Sequence, residues 1–382
     1  MTRTEKLLTE LIALPSINPA FAAPQRDAPA RQARRFLGEK NVADFLAATA
    51  ASAGLDVEFQ KVLPGRANVI ARLRPPDKVR QTILLAPHLD TVGANESAFI
   101  PRRKNGRLHG RGACDTKGSV AAMLAALCEL AAGNTRPQTT EIVFAGLIDE
   151  EHAQAGSRAL AKDFAADLAI VGEPTQLQIV TAHKGSLWLQ LETRGRAAHG
   201  ATPRLGRNAV LEMARVVGIL ETDYAAQLRR RKHPLLGTAT VNVGKIAGGA
   251  QPNIVPDQCR IEIDRRTLPG EKDESVRREI AALLAGKKLR AKISDVKVAP
   301  ALPLETDRNL PLVRQFFRSL GQTRAAGVDY FCDAAVLSAA GIPSVVFGPG
   351  DIAQAHTADE WISLASLERG KNQLLAFLKS LP

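Results

Sequence analysis

The chain has 382 residues, of which 45% are apolar and 24% are charged, as expected for a globular protein with two domains or one large one. No apolar run approaches the ~18 residues of a membrane span, and the N-terminus predicts an amphipathic helix rather than a signal-peptide core. A net charge of +12 would suit nucleic-acid binding, but only 4% of the residues are aromatic, so we favour a basic surface that binds no nucleic acid. The 4 scattered cysteines indicate reduced thiols in a cytoplasmic protein.

The first part of the chain alternates between predicted helices and strands. Apolar residues at helical spacing between Leu7 and Leu14 predict a helix, and the stretch rich in Pro and Ala at residues 15–34 predicts a surface loop. The next predicted elements are a helix at 42–53, strands at 57–60, 68–73 and 82–86, a helix at 119–130, a strand at 140–148, a helix at 157–164 and a strand at 168–171. This alternation predicts an α/β fold with a mixed sheet flanked by helices on both faces.

The pattern changes near residue 184. Residues 186–193 alternate between apolar and polar side chains, which is typical of a sheet with one exposed face. A helix at 209–220, strands at 238–245 and 259–264, a helix at 274–285 and a strand at 291–298 complete a β-α-β-β-α-β order. This order predicts a ferredoxin-like α+β domain.

The first pattern returns after Pro300. Helices are predicted at 310–320 and 334–340, a strand at 343–347 and a final helix through Leu375. We therefore predict a discontinuous catalytic domain of residues 1–183 and 300–382, into which a domain of residues 184–299 is inserted.

Three acidic residues end the predicted strand at 140–148. Asp149, Glu150 and Glu151 follow an apolar run directly. Their carboxylates would repel each other unless a positive charge lies among them, and a divalent metal supplies it most simply.

Other potential ligands follow other apolar stretches. His88 and Asp90 follow one predicted strand, Glu173 follows another, Asp115 lies in a glycine-rich turn before a helix, and His356 follows the last strand by a short loop. Each alone has a simpler interpretation; Asp115, for example, could be a helix N-cap. Together they predict one metal site, because sites in open α/β sheets form beyond the carboxyl ends of strands.

The order of these motifs identifies a family. His-x-Asp, Gly-Arg-Gly-x-x-Asp-x-Lys-Gly, Asp-Glu-Glu, Gly-Glu-Pro and a late Gln-Ala-His occur in this order over nearly the whole chain. The set resembles the M20 metallopeptidase and deacylase family. The resemblance implies a catalytic domain with a lid or dimerisation domain, and a site that holds two Zn²⁺ ions, with Co²⁺ as a plausible substitute.

The resemblance also implies a role for each ligand. Asp115 would bridge the two metal ions. One ion would also be held by His88 and Glu173, and the other by Glu151 and His356.

Two further acidic residues and one peptide bond complete the implied catalytic centre. Glu150 would act as general base on the attacking water, and Asp90 would orient His88. Related enzymes have a cis peptide bond after the bridging aspartate, so one is expected between Asp115 and Thr116.

The predicted insert carries three residues that match motifs of the family's lid. His199 would stabilise the oxyanion, Asn253 would donate to the substrate, and Arg266 would pair with the substrate's α-carboxylate. The resemblance further implies a homodimer paired through the insert, with hinges near residues 183–186 and 298–302.

The segment Gly348-Pro-Gly that precedes Gln-Ala-His356 is most similar to the acetylornithine deacetylase branch. That implies deacetylation of N-acetyl-L-ornithine, a small-molecule step of arginine biosynthesis. Succinyl-diaminopimelate desuccinylase, aminoacylase and dipeptidase or carboxypeptidase activities remain alternatives, as does a binding protein without catalysis. The long segment at 15–34, His109 and the residues after Glu151 depart from the branch, whereas every ligand and the base are present.

Overall fold

A computed structural model describes residues 1–21, 36–133, 135–296 and 299–382. The loop predicted at residues 15–34 lies outside the described residues from residue 22 onward. In the described part of the chain, no helix combines the length and the apolar character needed to cross a membrane.

The helices are α1 (Arg3–Ile12), α2 (Lys40–Ser52), α3 (Lys117–Ala132), α4 (Ala155–Asp163), α5 (Ala209–Ile219), α6 (Ala225–Leu228), α7 (Asp273–Gly286), α8 (Pro311–Ser319), α9 (Ala334–Ala339) and α10 (Leu364–Lys379). A π-helical turn, Leu220–Tyr224, joins α5 to α6. Short 3₁₀ turns occur at Pro19–Phe21, Glu96–Phe99, Pro203–Leu205 and Ile352–Gln354.

The strands are β1 (Asp56–Leu63), β2 (Arg66–Leu73), β3 (Gln81–Pro87), β4 (Arg102–Lys104), β5 (Arg107–His109), β6 (Thr140–Gly146), β7 (Leu168–Gly172), β8 (Val180–His183), β9 (Gly185–Arg194), β10 (Lys232–His233), β11 (Gly237–Thr238), β12 (Thr240–Gly248), β13 (Gln258–Thr267), β14 (Lys292–Asp295), β15 (Leu304–Glu305), β16 (Ala326–Val328), β17 (Ser344–Val346) and β18 (Trp361–Ser363). Every predicted element overlaps an observed one. The short strands β4, β5, β8, β10, β15, β16 and β18 were not predicted.

The chain divides into two compact units. Unit 1 comprises Met1–Thr181, Thr306–Ala326 and Cys332–Pro382, and unit 2 comprises Ala182–Glu305 and Gly327–Phe331. The assignment of a catalytic role to one and a lid role to the other stays a prediction.

Unit 1 is built on a mixed sheet in which β1, β2, β6, β3, β7 and β17 are successive neighbours. The four strands β6, β3, β7 and β17 are parallel. β1 and β2 continue the sheet in antiparallel pairing. The parallel strands are almost wholly buried, as expected when helices cover both faces.

Side chains from the two faces of this sheet pack against different helices. Ile83, Leu85 and Phe144 belong to a large apolar core with α1, α2, α3 and α10. On the opposite face, α9 packs against β7, β17 and α4. This arrangement confirms the predicted α/β fold and places the carboxyl ends of β3, β6, β7 and β17 at one edge of the sheet.

Unit 2 contains a four-stranded antiparallel sheet in the order β12-β13-β9-β14. Its chain order is β9, α5, β12, β13, α7, β14, which confirms the predicted ferredoxin-like pattern. One face is apolar: Leu189 of β9 pairs with Ile263 of β13, and both are buried with Met213 of α5. β14 is shorter than predicted, and residues 297–298 of that prediction lie outside the described residues.

Candidate metal centre

The predicted ligands meet at the carboxyl edge of the unit 1 sheet. His88 follows β3 directly, and Glu173 follows β7 directly. Asp115 lies in the turn before α3, Glu151 lies in the loop after β6, and His356 lies in the loop after β17. Parallel strands bring their carboxyl ends to the same edge, so residues separated by more than 200 positions in sequence become neighbours.

Asp115 lies at the middle of this cluster. Its Oδ1 is 3.1 Å from Nε2 of His88, and its Oδ2 is 3.3 Å from Nε2 of His356. Nε2 of His356 is 3.1 Å from a carboxylate oxygen of Glu151, and Nε2 of His88 is 3.9 Å from one of Glu173. The two oxygens of one aspartate therefore face two separate groups, each made of an imidazole and a carboxylate.

These groups fit divalent metal ions. Potential ligand atoms of His88, Asp115 and Glu151 all lie within 4.8 Å of one another. Bonds of ~2.0–2.2 Å in a tetrahedral site place neighbouring ligand atoms ~3.3–3.6 Å apart. Most separations in the cluster are near this range, and mixed nitrogen and oxygen ligands suit zinc and its divalent neighbours.

His356 has a strained backbone. Its φ is 61°, in the left-handed region that residues with a β-carbon rarely adopt. Such conformations cost roughly 1–3 kcal/mol and occur where the surrounding structure holds a functional side chain in place. The strain at His356 agrees with a position selected for its imidazole.

Burial destabilises the charged forms of Glu150 and Glu151, whereas at Asp115 burial is outweighed by hydrogen bonds from His356 and His88, which lower its pKa. Removal from water raises the pKa of Glu150 well above its usual value; the charge of His88 opposes this rise and that of Glu173 adds to it. Burial, reinforced by the charge of Asp115, raises the pKa of Glu151 to about 7. The hydrogen bonds that His356 donates to Asp115 and Glu151 raise the pKa of His356 to about 10. Bound cations would stabilise the charged forms of Glu150 and Glu151.

Asp90 connects the candidate ligand His88 to the acidic loop after β6. Nδ1 of His88 lies 3.0 Å from the backbone oxygen of Asp90 and 3.4 Å from its carboxylate. A proton on Nδ1 directed at these oxygens leaves the lone pair of Nε2 for a metal. The Asp90 carboxylate also accepts the backbone N–H groups of Glu150 and Glu151, both at 3.1 Å. Asp90 therefore orients the imidazole of His88 and fixes the backbone of Glu150 and Glu151.

A buried polar network that sequence analysis missed supports this loop. Asn18 donates to Asp90 at 2.7 Å and to Asp149 at 2.9 Å. Arg66 pairs with Asp149 at 3.1 Å and donates through Nε to Glu39 at 2.8 Å. These residues carry no motif that marks them, because their partners lie far away in sequence.

The glycine-rich motif around Asp115 is held from both sides. The peptide bond between Asp115 and Thr116 is cis, as predicted. The Thr116 hydroxyl donates to the backbone oxygen of Gly172, next to Glu173, at 2.8 Å. Lys117 is fully buried and donates to the backbone oxygens of Leu11 and Leu14 at 2.9 and 2.7 Å. Burial lowers the pKa of Lys117 to about 7.

The three predicted lid residues lie in unit 2. His199 is exposed after β9. Its backbone forms an isolated antiparallel β-bridge with Ile254, which follows the exposed Asn253. Arg266 lies on β13, where its Nε donates to Asp264 at 2.9 Å.

Arg266 also lines a cavity within unit 2. The cavity has a volume of about 460 Å³, and its other lining residues are Lys184, Thr240, Asp329 and Tyr330. Lys184 pairs with Asp329 at 2.8 Å, so the wall carries both cationic and anionic groups.

Comparison with known proteins identifies the family. The sequence model of peptidase family M20/M25/M40 matches residues 84–380. The chain is a member of this family. The resemblance drawn from the motifs is thereby confirmed, and the protein is an M20 hydrolase.

Relatives of this M20 chain carry two kinds of names. A peptidase M20 domain-containing protein of Schizosaccharomyces pombe is 32% identical over 348 residues, covering 87% of this chain and 78% of the relative. Acetylornithine deacetylase of Proteus mirabilis is 31% identical over 379 residues, covering 95% of this chain and 92% of the relative.

Solved structures share the fold of this M20 chain. Aminopeptidase PepT of Bacillus cereus matches with a TM-score of 0.77 at 21% identity, covering 99% of this chain and 97% of that chain. The YXEP protein of Bacillus subtilis, a dinuclear metal binding peptidase of the family, matches with a TM-score of 0.69 at 15% identity, covering 99% of this chain and 97% of that chain. At these identities the likeness establishes the fold.

Proposed function

We propose that this M20 hydrolase is a metal-dependent deacylase that cleaves the amide bond of an N-acyl amino acid, with N-acetyl-L-ornithine as its first candidate substrate. The observation that carries the proposal is the placement of Asp115 between His88 and His356, with Glu151 and Glu173 beside them. The match to an acetylornithine deacetylase over 95% of the chain supports the choice of substrate.

The cluster offers two sets of ligands that share Asp115. His88 and Glu173 would complete one set, and Glu151 and His356 would complete the other. Two Zn²⁺ ions, or Co²⁺ in their place, would acidify a water molecule and polarise the amide carbonyl.

Glu150 is the proposed general base. Its backbone N–H is fixed by Asp90 at 3.1 Å, and its pKa is raised because the protein keeps water from its carboxyl group. A raised pKa makes the carboxylate a stronger base toward the attacking water, and the carboxyl group so formed can return the proton to the leaving amine.

We further propose that residues of unit 2 act on the substrate. His199 would donate to the oxygen of the developing tetrahedral intermediate, and Asn253 would donate to the substrate. Arg266 would pair with the α-carboxylate; its position on the wall of the 460 Å³ cavity supports a role in binding an anion.

A homodimer paired through unit 2 is also proposed. β12 is one of the two outer strands of the unit 2 sheet, and outer strands offer backbone groups for pairing with another chain. Large apolar side chains are exposed in this unit, with Ile246 of β12 at 57% and Leu211 of α5 at 61%. Size measurement in solution tests this assignment.

A substrate panel tests the activity. The protein would be assayed with Zn²⁺ and with Co²⁺ on N-acetyl-L-ornithine, N-succinyl-diaminopimelate, other N-acetyl amino acids and dipeptides. We expect the highest kcat/KM on N-acetyl-L-ornithine, and loss of activity on chelation and in Glu150→Gln. Faster cleavage of dipeptides than of every acylated amino acid would contradict the deacylase assignment.

A further inference from the structure

The loop that carries Asp115 folds around one buried carboxylate, that of Glu360, whose side chain is only 2% exposed. Oε1 of Glu360 accepts the backbone N–H groups of Cys114 and Asp115 at 2.8 and 2.9 Å. Oε2 accepts the backbone N–H of Gly112 at 2.9 Å. Three amides that precede or belong to the central aspartate therefore converge on a single side chain.

Arg111 extends this contact to the segment that carries His356. Its Nη1 donates to Oε2 of Glu360 at 2.7 Å, and its Nη2 donates to the backbone oxygen of Thr357 at 3.1 Å. The backbone oxygen of Glu360 also accepts the N–H of Gly110 at 3.0 Å. Glu360 and Arg111 thus connect the loop before α3 to the residue that follows His356.

The backbone of the loop is shaped for this contact. Gly112 has a φ of +81°, a conformation that a residue with a β-carbon rarely adopts. A β-carbon there would also lie 3.0 Å from side-chain atoms of Lys117 and Thr91. The glycine lets successive N–H groups turn toward one acceptor, as in the anion-binding concavities formed by consecutive backbone amides.

A buried carboxylate with four donors is fully satisfied, so the contact could serve the fold alone. The position of Glu360 between the segments that carry Asp115 and His356 indicates a further role at the candidate metal site. One of the four donors is the amide of Asp115 itself, and another belongs to the arginine that holds the residue after His356. The separation of the Asp115 and His356 side chains, 3.3 Å between Oδ2 and Nε2, depends on both segments.

We propose that Glu360, acting with Arg111, is a positioning residue that holds Asp115 and His356 at the separation at which both can ligate metal. This inference rests on the proposed metal site. Partners of ligands in such sites typically change metal affinity by ~10–100-fold when they are replaced.

The test compares Glu360→Gln with the unaltered protein. The affinity for Zn²⁺ would be measured by competition with a chelator, the Co²⁺ absorption spectrum would report ligand geometry, and thermal unfolding of the metal-free protein would report stability. The glutamine has the same size but presents an NH₂ group to backbone N–H donors. We expect affinity to fall by ~10–100-fold and the Co²⁺ spectrum to change.

A matched control lies in unit 2. Glu271 accepts Nη2 of the buried Arg265 at 2.6 Å and the backbone N–H of Leu268 at 2.8 Å, so Glu271→Gln disturbs the same kind of contact. We expect this variant to unfold at a lower temperature with unchanged Zn²⁺ affinity and Co²⁺ spectrum.

The outcomes separate the two proposals. If the unaltered protein takes up neither Zn²⁺ nor Co²⁺, the proposed metal site fails and this inference falls with it. If the unaltered protein binds metal and Glu360→Gln binds it with the same affinity and spectrum, only this inference is overturned. Should Glu360→Gln fail to fold, Arg111→Lys decides, since a lysine cannot pair with Glu360 and Thr357 through two nitrogens: unchanged affinity overturns the inference, and a roughly tenfold loss supports it.

Discussion

The ligand cluster of unit 1 and the lid candidates of unit 2 are held in different ways. His88, Asp115 and Glu173 are 2%, 8% and 4% exposed; the His88 ring is held by the backbone oxygen of Asp90, and the backbone N–H of Asp115 donates to Glu360. In contrast, His199 and Asn253 are exposed. Side chains that the protein holds before substrate arrives can bind a metal at once, whereas exposed side chains lose mobility only when a substrate orders them. We therefore expect metal binding to depend on unit 1 and turnover to depend on both units.

The largest effect is expected from the base. Glu150→Gln should lower kcat by ~10²–10⁴-fold, the range for removal of a general base, because the amide cannot accept a proton. Metal content, measured by elemental analysis, should stay unchanged. Glu151→Gln, in contrast, should lose metal from one of the two positions. If metal content fell only in Glu150→Gln, the roles of the two glutamates would be exchanged.

His199 should matter for turnover and not for metal. Removing one donor to an oxyanion typically costs ~10²–10³-fold in rate, so His199→Ala should lower kcat by about that factor while both metals remain bound. An unchanged kcat would remove His199 from the mechanism.

Mixing variants shows which subunit His199 serves. His199→Ala and Glu150→Ala, each inactive alone, would be combined under conditions that exchange subunits. Recovery of activity would mean that His199 acts on the partner's site, because each heterodimer then has one intact site. No recovery despite verified exchange would rule out action on the partner's site and leave His199 either serving its own chain or without a catalytic role.

Protonation of the candidate ligands His356 and Glu151 predicts that metal affinity depends on pH. His356 must lose a proton to ligate, and its pKa is raised to about 10 by its hydrogen bonds to Asp115 and Glu151. Metal binding below that pH releases this proton, so affinity should rise about tenfold per pH unit. Below the pKa of Glu151, which burial raises to about 7, a second proton competes and the slope should steepen.

Chelator-competition titrations across this pH range check the slope. Glu151→Gln, which has no carboxyl proton to lose at this position, should show a shallower slope below pH 7 than the unaltered protein. An affinity that does not change with pH would contradict the account.

The elements that were predicted correctly are marked by patterns among residues that are close together in sequence. Alternating residues around Leu189 marked a strand of unit 2, and apolar runs before His88 and Glu173 marked strands of unit 1. Because parallel strands end at one edge of the sheet, the order of the motifs was enough to predict that the candidate ligands lie close together. The strands that escaped prediction are short; β8, for example, has four residues.

The residues that escaped prediction act through contacts between distant segments. Glu360 lies 245 positions from Asp115, whose amide it accepts, and Asn18 lies 131 positions from Asp149. An isolated Glu or Asn in a loop has no periodicity or spacing that distinguishes it from a solvated side chain. Only the folded backbone shows that these side chains are buried and what they bind.

The most direct test of the account is anomalous X-ray scattering from crystals grown with Zn²⁺. We predict two peaks ~3.5–4 Å apart on either side of Asp115, one ligated by His88 and Glu173 and the other by Glu151 and His356. The absence of both peaks from a crystal with ordered side chains at His88 and His356 would contradict the central claim.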